Sequence, residues 1–148
     1  MVRASGRICA LPLPWVVETM RPLPIEGVAA TPAYILGLAV IRGIATPVVD
    51  LAVLLGAPQR SDFARFVTVR GSSSSDATAA ALAVEAVIGV EVLPAGKVGE
   101  LPPLVSATSP EIIQAVGSAD ERLLLLLRQA RLCPPELEAL WSTPEVQP

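Results

Sequence analysis

Any chemistry in this chain must come from carboxylates, one lysine and two thiols, because it contains no histidine. That removes the commonest general base at neutral pH and the commonest metal ligand. Glu85 and Glu91 fall on one parity of an apparent strand, but six extended residues separate them by ~20 Å, too far for a glycosidase-type carboxylate pair. They read as a solvated face. Cys9 and Cys133 lack the paired spacing of a zinc site and have no histidine to draw out a thiolate, so they read as buried free thiols. Lys97, in "AGKVGE", fits an exposed turn. No phosphate-binding glycine loop and no nucleophile elbow occur. The residues give no grounds to expect catalysis, a cofactor or a metal.

One cation stands out. "VIRGIATPVVDL", Val40 to Leu51, sets Arg42 against Gly43 in otherwise apolar sequence. From the residues alone its guanidinium has three readings: a chemical group, a structural one pairing with Glu18 or Asp50, or a contact for another protein.

The elements that hold these groups are short. Fifteen prolines and ten glycines cut the 148 residues into pieces suited to many strands, so the expected class is mainly β. Leu82 to Leu93 alternates and reads as one long strand, Arg65 to Arg70 as a second, and the Leu123 to Leu127 run as a central strand buried on both faces. "GSSSS", from Gly71, reads as a flexible connection between the first two. Thr31-Pro32 and Ser109-Pro110 read as helix starts ended by Gly37 and Gly117. Asp50 reads as the cap of a helix stopped by Gly56, and Pro135 to Trp141 as a C-terminal helix. Pro47 marks a sheet edge or bulge. The echo between "WVVETM" and "AVIGVEVL" fits two similar lobes.

Composition narrows the partners. With ten arginines, one lysine and a net charge of −3, no basic stripe is formed, so nucleic acid is not expected. The longest uncharged run is shorter than a bilayer span and holds Pro32, so no membrane insertion is expected and the location reads as cytoplasmic.

Taken in order, "CALPLPWVVETM", "PAYILGLAVIRGIATPVVDL", "ALAVEAVIGVEVLP" and "DERLLLLL" resemble the landmark segments of the CheW-like family, over about residues 8 to 133. Ala10-Leu11-Pro12 with Val16-Val17-Glu18 matches one motif. Gly37-Leu38, Ile41-Arg42-Gly43 and Pro47-Val48-Val49-Asp50-Leu51 match the most specific one, and Val84 to Val90 a third. The resemblance implies two intertwined, five-stranded SH3-like β-barrel lobes with short helices, forming one domain over residues 1–141 before a flexible tail, 142–148. It implies a non-catalytic adaptor between chemoreceptor cytoplasmic helices and the regulatory domain of a CheA-type histidine kinase. Matching positions give Arg42, Gly43, Ile41, Glu18, Met20, Val16 and Val90 as partner-binding, several of them lining an apolar groove between lobes. The alternative is a small-molecule sensor, or an enzyme using Asp50 and Glu18 in an inter-lobe cleft. The family's longer first strand is shortened here to "MVRASGRIC", Val40-Ile41 replaces asparagine-leucine, and Arg128 replaces an aspartate. Those departures lead us to expect an open barrel edge and altered binding.

Overall fold

The computed structural model describes residues 1–58, 62–71, 78–93, 98–99, 113–119 and 122–127. Its strands are β1 (Val2–Ala4), β2 (Arg7–Ala10), β3 (Val16–Met20), β4 (Ile35–Ile41), β5 (Ile44–Asp50), β6 (Arg65–Arg70), β7 (Thr78–Val84), β8 (Ala86–Val87), β9 (Val98–Gly99), β10 (Ile113–Ala119) and β11 (Arg122–Leu127), with one helical turn, α1 (Leu51–Leu54). Two sheets result. One runs β8-β1-β2-β11-β10-β9 and is built from both ends of the described chain, while β3-β6-β7-β5-β4, from its middle, makes the other. The mainly β class is therefore observed, with the two sheets drawn from interleaved parts of the described chain. Closed barrels are not: each sheet ends in two strands that share no backbone ladder.

The sheets pack on a common core of Val2, Cys9, Val49, Leu51, Val67, Val69, Leu82, Val84, Leu125 and Leu127, all buried. A second cluster, with Leu36, Ala39, Ile41, Val48 and Phe66, covers the far side of the middle sheet; Met20 and Phe63 pack against it. The leucine run is a central strand as expected, since β11 lies between β2 and β10, and Leu124, Leu125 and Leu127 are buried.

Among the hairpins whose turn residues are described, two turn on two residues each. Ala4 pairs with Arg7 across Ser5-Gly6, and Ile41 pairs with Ile44 across Arg42-Gly43. All four turn residues have positive φ, between 50° and 79°, the signature of the type I′ turn that matches strand twist. β1 and β2 form a complete hairpin, and β8 pairs with the other edge of β1.

Several sequence expectations are corrected. The Leu82 to Leu93 pattern is not one strand. At Glu85, whose N–H donates to the Arg3 carbonyl, the chain leaves the middle sheet as β7 and joins the other as β8. Residues 88–93 lie in no strand, and Val90 and Val92 are 72% and 93% exposed. Thr31-Pro32 starts no helix: the Thr31 hydroxyl donates to the Val28 carbonyl, and Gly37 lies inside β4. Gly117 lies inside β10, so the helix expected from Ser109 is a strand where it is described. Pro47 is not on an edge, because β5 lies between β4 and β7. It precedes the first β5–β7 pair, Val48 with Ala81, where its missing N–H costs nothing.

Asp50 behaves as read. Its carboxylate accepts from the N–H groups of Ala52 and Val53 at 3.1 and 3.3 Å, capping α1, and Gly56 follows with φ 102°. Asp50→Ala is expected to lower stability by about 1–2 kcal/mol, read as a lower thermal midpoint, because the cap is lost at a fully buried position. The connection between β6 and β7 (apart from Gly71), the helix expected from Pro135, the expected tail over 142–148, and Lys97, Arg128 and Cys133 lie outside the described residues. The antiparallel pairing of β6 with β7 fits a hairpin connection.

Candidate functional site

Arg42 occupies the first position of the β4–β5 turn with φ +50°, where a side chain other than asparagine or glycine is strained. Its guanidinium grips Glu18 of β3 in the fork-to-fork manner, Nε donating to Oε1 at 2.8 Å and Nη2 to Oε2 at 2.6 Å. The in-chain pairing with Glu18 is thus present, while the partner reading of Arg42 is a separate matter. β3 and β4 are the opposite edges of the middle sheet, so the pair spans the gap that the backbone leaves open. The seam is also stitched elsewhere. Glu26 and Leu38 exchange two backbone hydrogen bonds of 2.8 Å, and continuing that register would set Pro24, which has no N–H, against Val40.

The pair is asymmetric. The Arg42 side chain is 77% exposed and that of Glu18 25%, so the cation is the half a partner would meet. Hydrogen bonding from Arg42 holds the Glu18 carboxyl below the usual glutamate range and pushes the Arg42 guanidinium further up. A depressed folded-state value means that the pair supports the fold above the ordinary glutamate range, and that this support is lost as pH falls through the Glu18 value. A carboxyl-detected NMR titration should therefore show Glu18 with the lower midpoint relative to a glutamate in an unfolded peptide, and Arg42→Gln should remove the difference.

Five of the seven predicted contact residues gather at this end of the middle sheet. Ile41 is buried in the cluster beneath, Met20 packs against it, and Arg42, Gly43 and Glu18 form the rim. Val16 and Val90 are elsewhere. They line a largely apolar cavity of about 520 Å³ between the sheets, with Leu11, Val67, Leu93 and Leu126 among its other walls. The residues read as one groove thus lie on opposite faces of the middle sheet.

A bulge in β3 separates them. Val16 pairs with Val69 and Glu18 with Thr68, leaving Val17 extra. Val16 and Thr19 consequently face the cavity, whereas Glu18 and Met20 face the seam. Sequence parity alone puts Val16, Glu18 and Met20 together, and for that reason the split was missed. Val67 and Leu126, also missed, look like ordinary core residues in the sequence.

Groups considered for chemistry are not assembled. Asp50 caps α1, Glu18 is engaged by Arg42, and Glu85 accepts from the Gly6 N–H at 3.2 Å. Cys9 is buried and unbridged, and burial pushes its thiol up to about 12. Among the described residues no three His, Cys, Asp or Glu side chains cluster as a metal site would need, and no helix is long and apolar enough to cross a membrane.

The CheW-like domain family matches residues 1–134. Among solved structures, the scaffolding protein TtCheW from Thermoanaerobacter tengcongensis superposes with a TM-score of 0.72, at 23% identity, over 86% of this chain and 85% of that one. Comparison with curated proteins finds no match.

Proposed function

The chain belongs to the CheW-like domain family, and on that premise we propose that it is a non-catalytic adaptor coupling chemoreceptors to a CheA-type histidine kinase. In this reading residues 1–141 act as one domain, ahead of a tail over 142–148. The kinase regulatory domain docks on the Arg42 turn, and a receptor's cytoplasmic helix tip lays its apolar face in the inter-sheet cavity. The observation that carries the reading is the exposed Arg42–Glu18 fork, a directional polar contact held out on a strained turn.

The cavity supports the second half of the reading. At about 520 Å³ and mostly apolar, it has room for two or three large side chains of an amphipathic helix. Two surfaces on opposite faces of one sheet would let both partners bind together, as coupling requires. Val16→Glu places a charge in the apolar wall and should weaken binding of a receptor-tip helical fragment by at least about tenfold, while leaving the kinase regulatory domain unaffected. Equal loss for both partners, or none for the receptor fragment, would refute this division of surfaces. The carboxylate-site alternative finds no support in the geometry, since Asp50 and Glu18 are committed to separate structural partners.

A further inference from the structure

The geometry points to Thr68 as the residue that positions Glu18 for Arg42, and thereby sets the contact surface of the turn. This rests on the reading of Arg42 as a partner contact. Thr68 lies in the middle of β6 and is fully buried, a setting where a hydroxyl is costly unless it is satisfied. It is satisfied twice by one neighbour: Oγ1 accepts from the Glu18 N–H at 3.1 Å and donates to the Glu18 carbonyl at 3.2 Å. At the bulge, that single hydroxyl serves both backbone groups of Glu18.

The consequence follows from register. With Val16 opposite Val69, an unbulged strand would set Val17 against Thr68 and Glu18 against Val67. Because strand faces alternate, Glu18 would then turn to the side of Val16, into the apolar cavity, and away from Arg42. The Thr68 hydroxyl stabilises the bulged register by hydrogen-bonding both backbone groups of Glu18 where the register shifts. One buried side chain thus sorts β3 between two sites: Val16 and Thr19 to the cavity, Glu18 and Met20 to the seam.

The test compares wild type with Thr68→Val, which keeps the shape and removes the hydroxyl, and Thr68→Ser, which keeps the hydroxyl. If the valine variant does not fold, Thr68→Cys, similar in size and a poor hydrogen-bonder, takes its place. Two quantities are read: the Glu18 carboxyl titration midpoint by NMR, and affinity for a CheA-type kinase regulatory domain. Removing the hydroxyl should move the Glu18 midpoint up to that of an unpaired glutamate and weaken binding about tenfold, and serine should restore both. An unchanged Glu18 midpoint in the hydroxyl-free variant would overturn the positioning role. A shifted midpoint with undiminished affinity would overturn the claim that the fork sets the contact surface, whereas wild-type protein that binds no such domain would refute the reading of Arg42 instead.

Discussion

Replacing Gly37 by alanine is expected to lower the stability of this protein by about 3–5 kcal/mol, at the top of the range for single substitutions. Gly37 sits in β4 with φ +143°, a conformation that side chains avoid. A Cβ built there would lie 2.0 Å from the Glu26 carbonyl oxygen and 2.7 Å from its carbon. Both are backbone atoms, held in place by the paired hydrogen bonds between Glu26 and Leu38, so no rotamer change relieves the overlap. Relief would require the 21–26 segment to leave the β4 edge and open the seam that Arg42 and Glu18 close at its other end. Thermal melting should show a fall of roughly 10–15 °C for a chain of this length. Gly43→Ala is the natural control: its φ is also positive, at +79°, but an added Cβ there meets nothing within 4 Å. That variant should cost only about 1 kcal/mol. Similar losses for the two would mean that the close approach of Glu26 to Gly37 is not what demands glycine.

Much of this fold is legible in the sequence because local chemistry and burial agree there. Asp50 followed by an apolar turn and Gly56 is a cap, a helix and a stop, and the structure has all three. Five consecutive leucines have to be covered on both faces, and β11 is. Legibility ends where one residue type serves two ends. Gly37 reads as a helix stop and is a strand glycine, because the feature that demands it is the Glu26 backbone, eleven positions away and unseen in any local window. Thr31-Pro32 has the composition of a helix start but leads into a strand, tertiary pairing with β5 outweighing local preference. The alternation from Leu82 to Leu93 does not mark one strand: it ends β7, enters the other sheet for Ala86–Val87, and leaves both sheets at 88–93, none of which a period of two records.

The candidate site was legible in part. The motif singled out Arg42, Gly43 and Glu18, and they do meet, with Gly43 serving as the second left-handed residue of the turn. Their separation from Val16 and Val90 was not legible, because it depends on the one extra residue at Val17 and on the buried hydroxyl that accommodates it.

The second large effect concerns the turn itself. Asparagine-glycine is the preferred pair for a type I′ turn, so Arg42 occupies a position where asparagine would be more relaxed. Its retention there fits a contact role, in the manner of sites that sacrifice stability for function. Arg42→Asn removes the cation and relaxes the backbone together. The thermal midpoint should stay level or rise, since the lost ion pair is exposed and the strain is relieved. Binding should behave differently. An exposed guanidinium with donors remaining beyond those used by Glu18 is the kind of group that dominates an interface, and its loss should weaken the complex by roughly 100-fold. Exchanging the charges, Glu18→Arg with Arg42→Glu, should rebuild the clasp across the seam without rebuilding the contact.

The direct measurement is therefore calorimetric titration of a CheA-type kinase regulatory domain into the wild-type protein and into its Arg42→Asn variant, with both melting curves recorded. The expected result is clear binding by the wild type and a roughly 100-fold weaker complex for a variant that melts no lower. Wild-type protein that does not bind, or a variant that binds as the wild type does, would contradict the account.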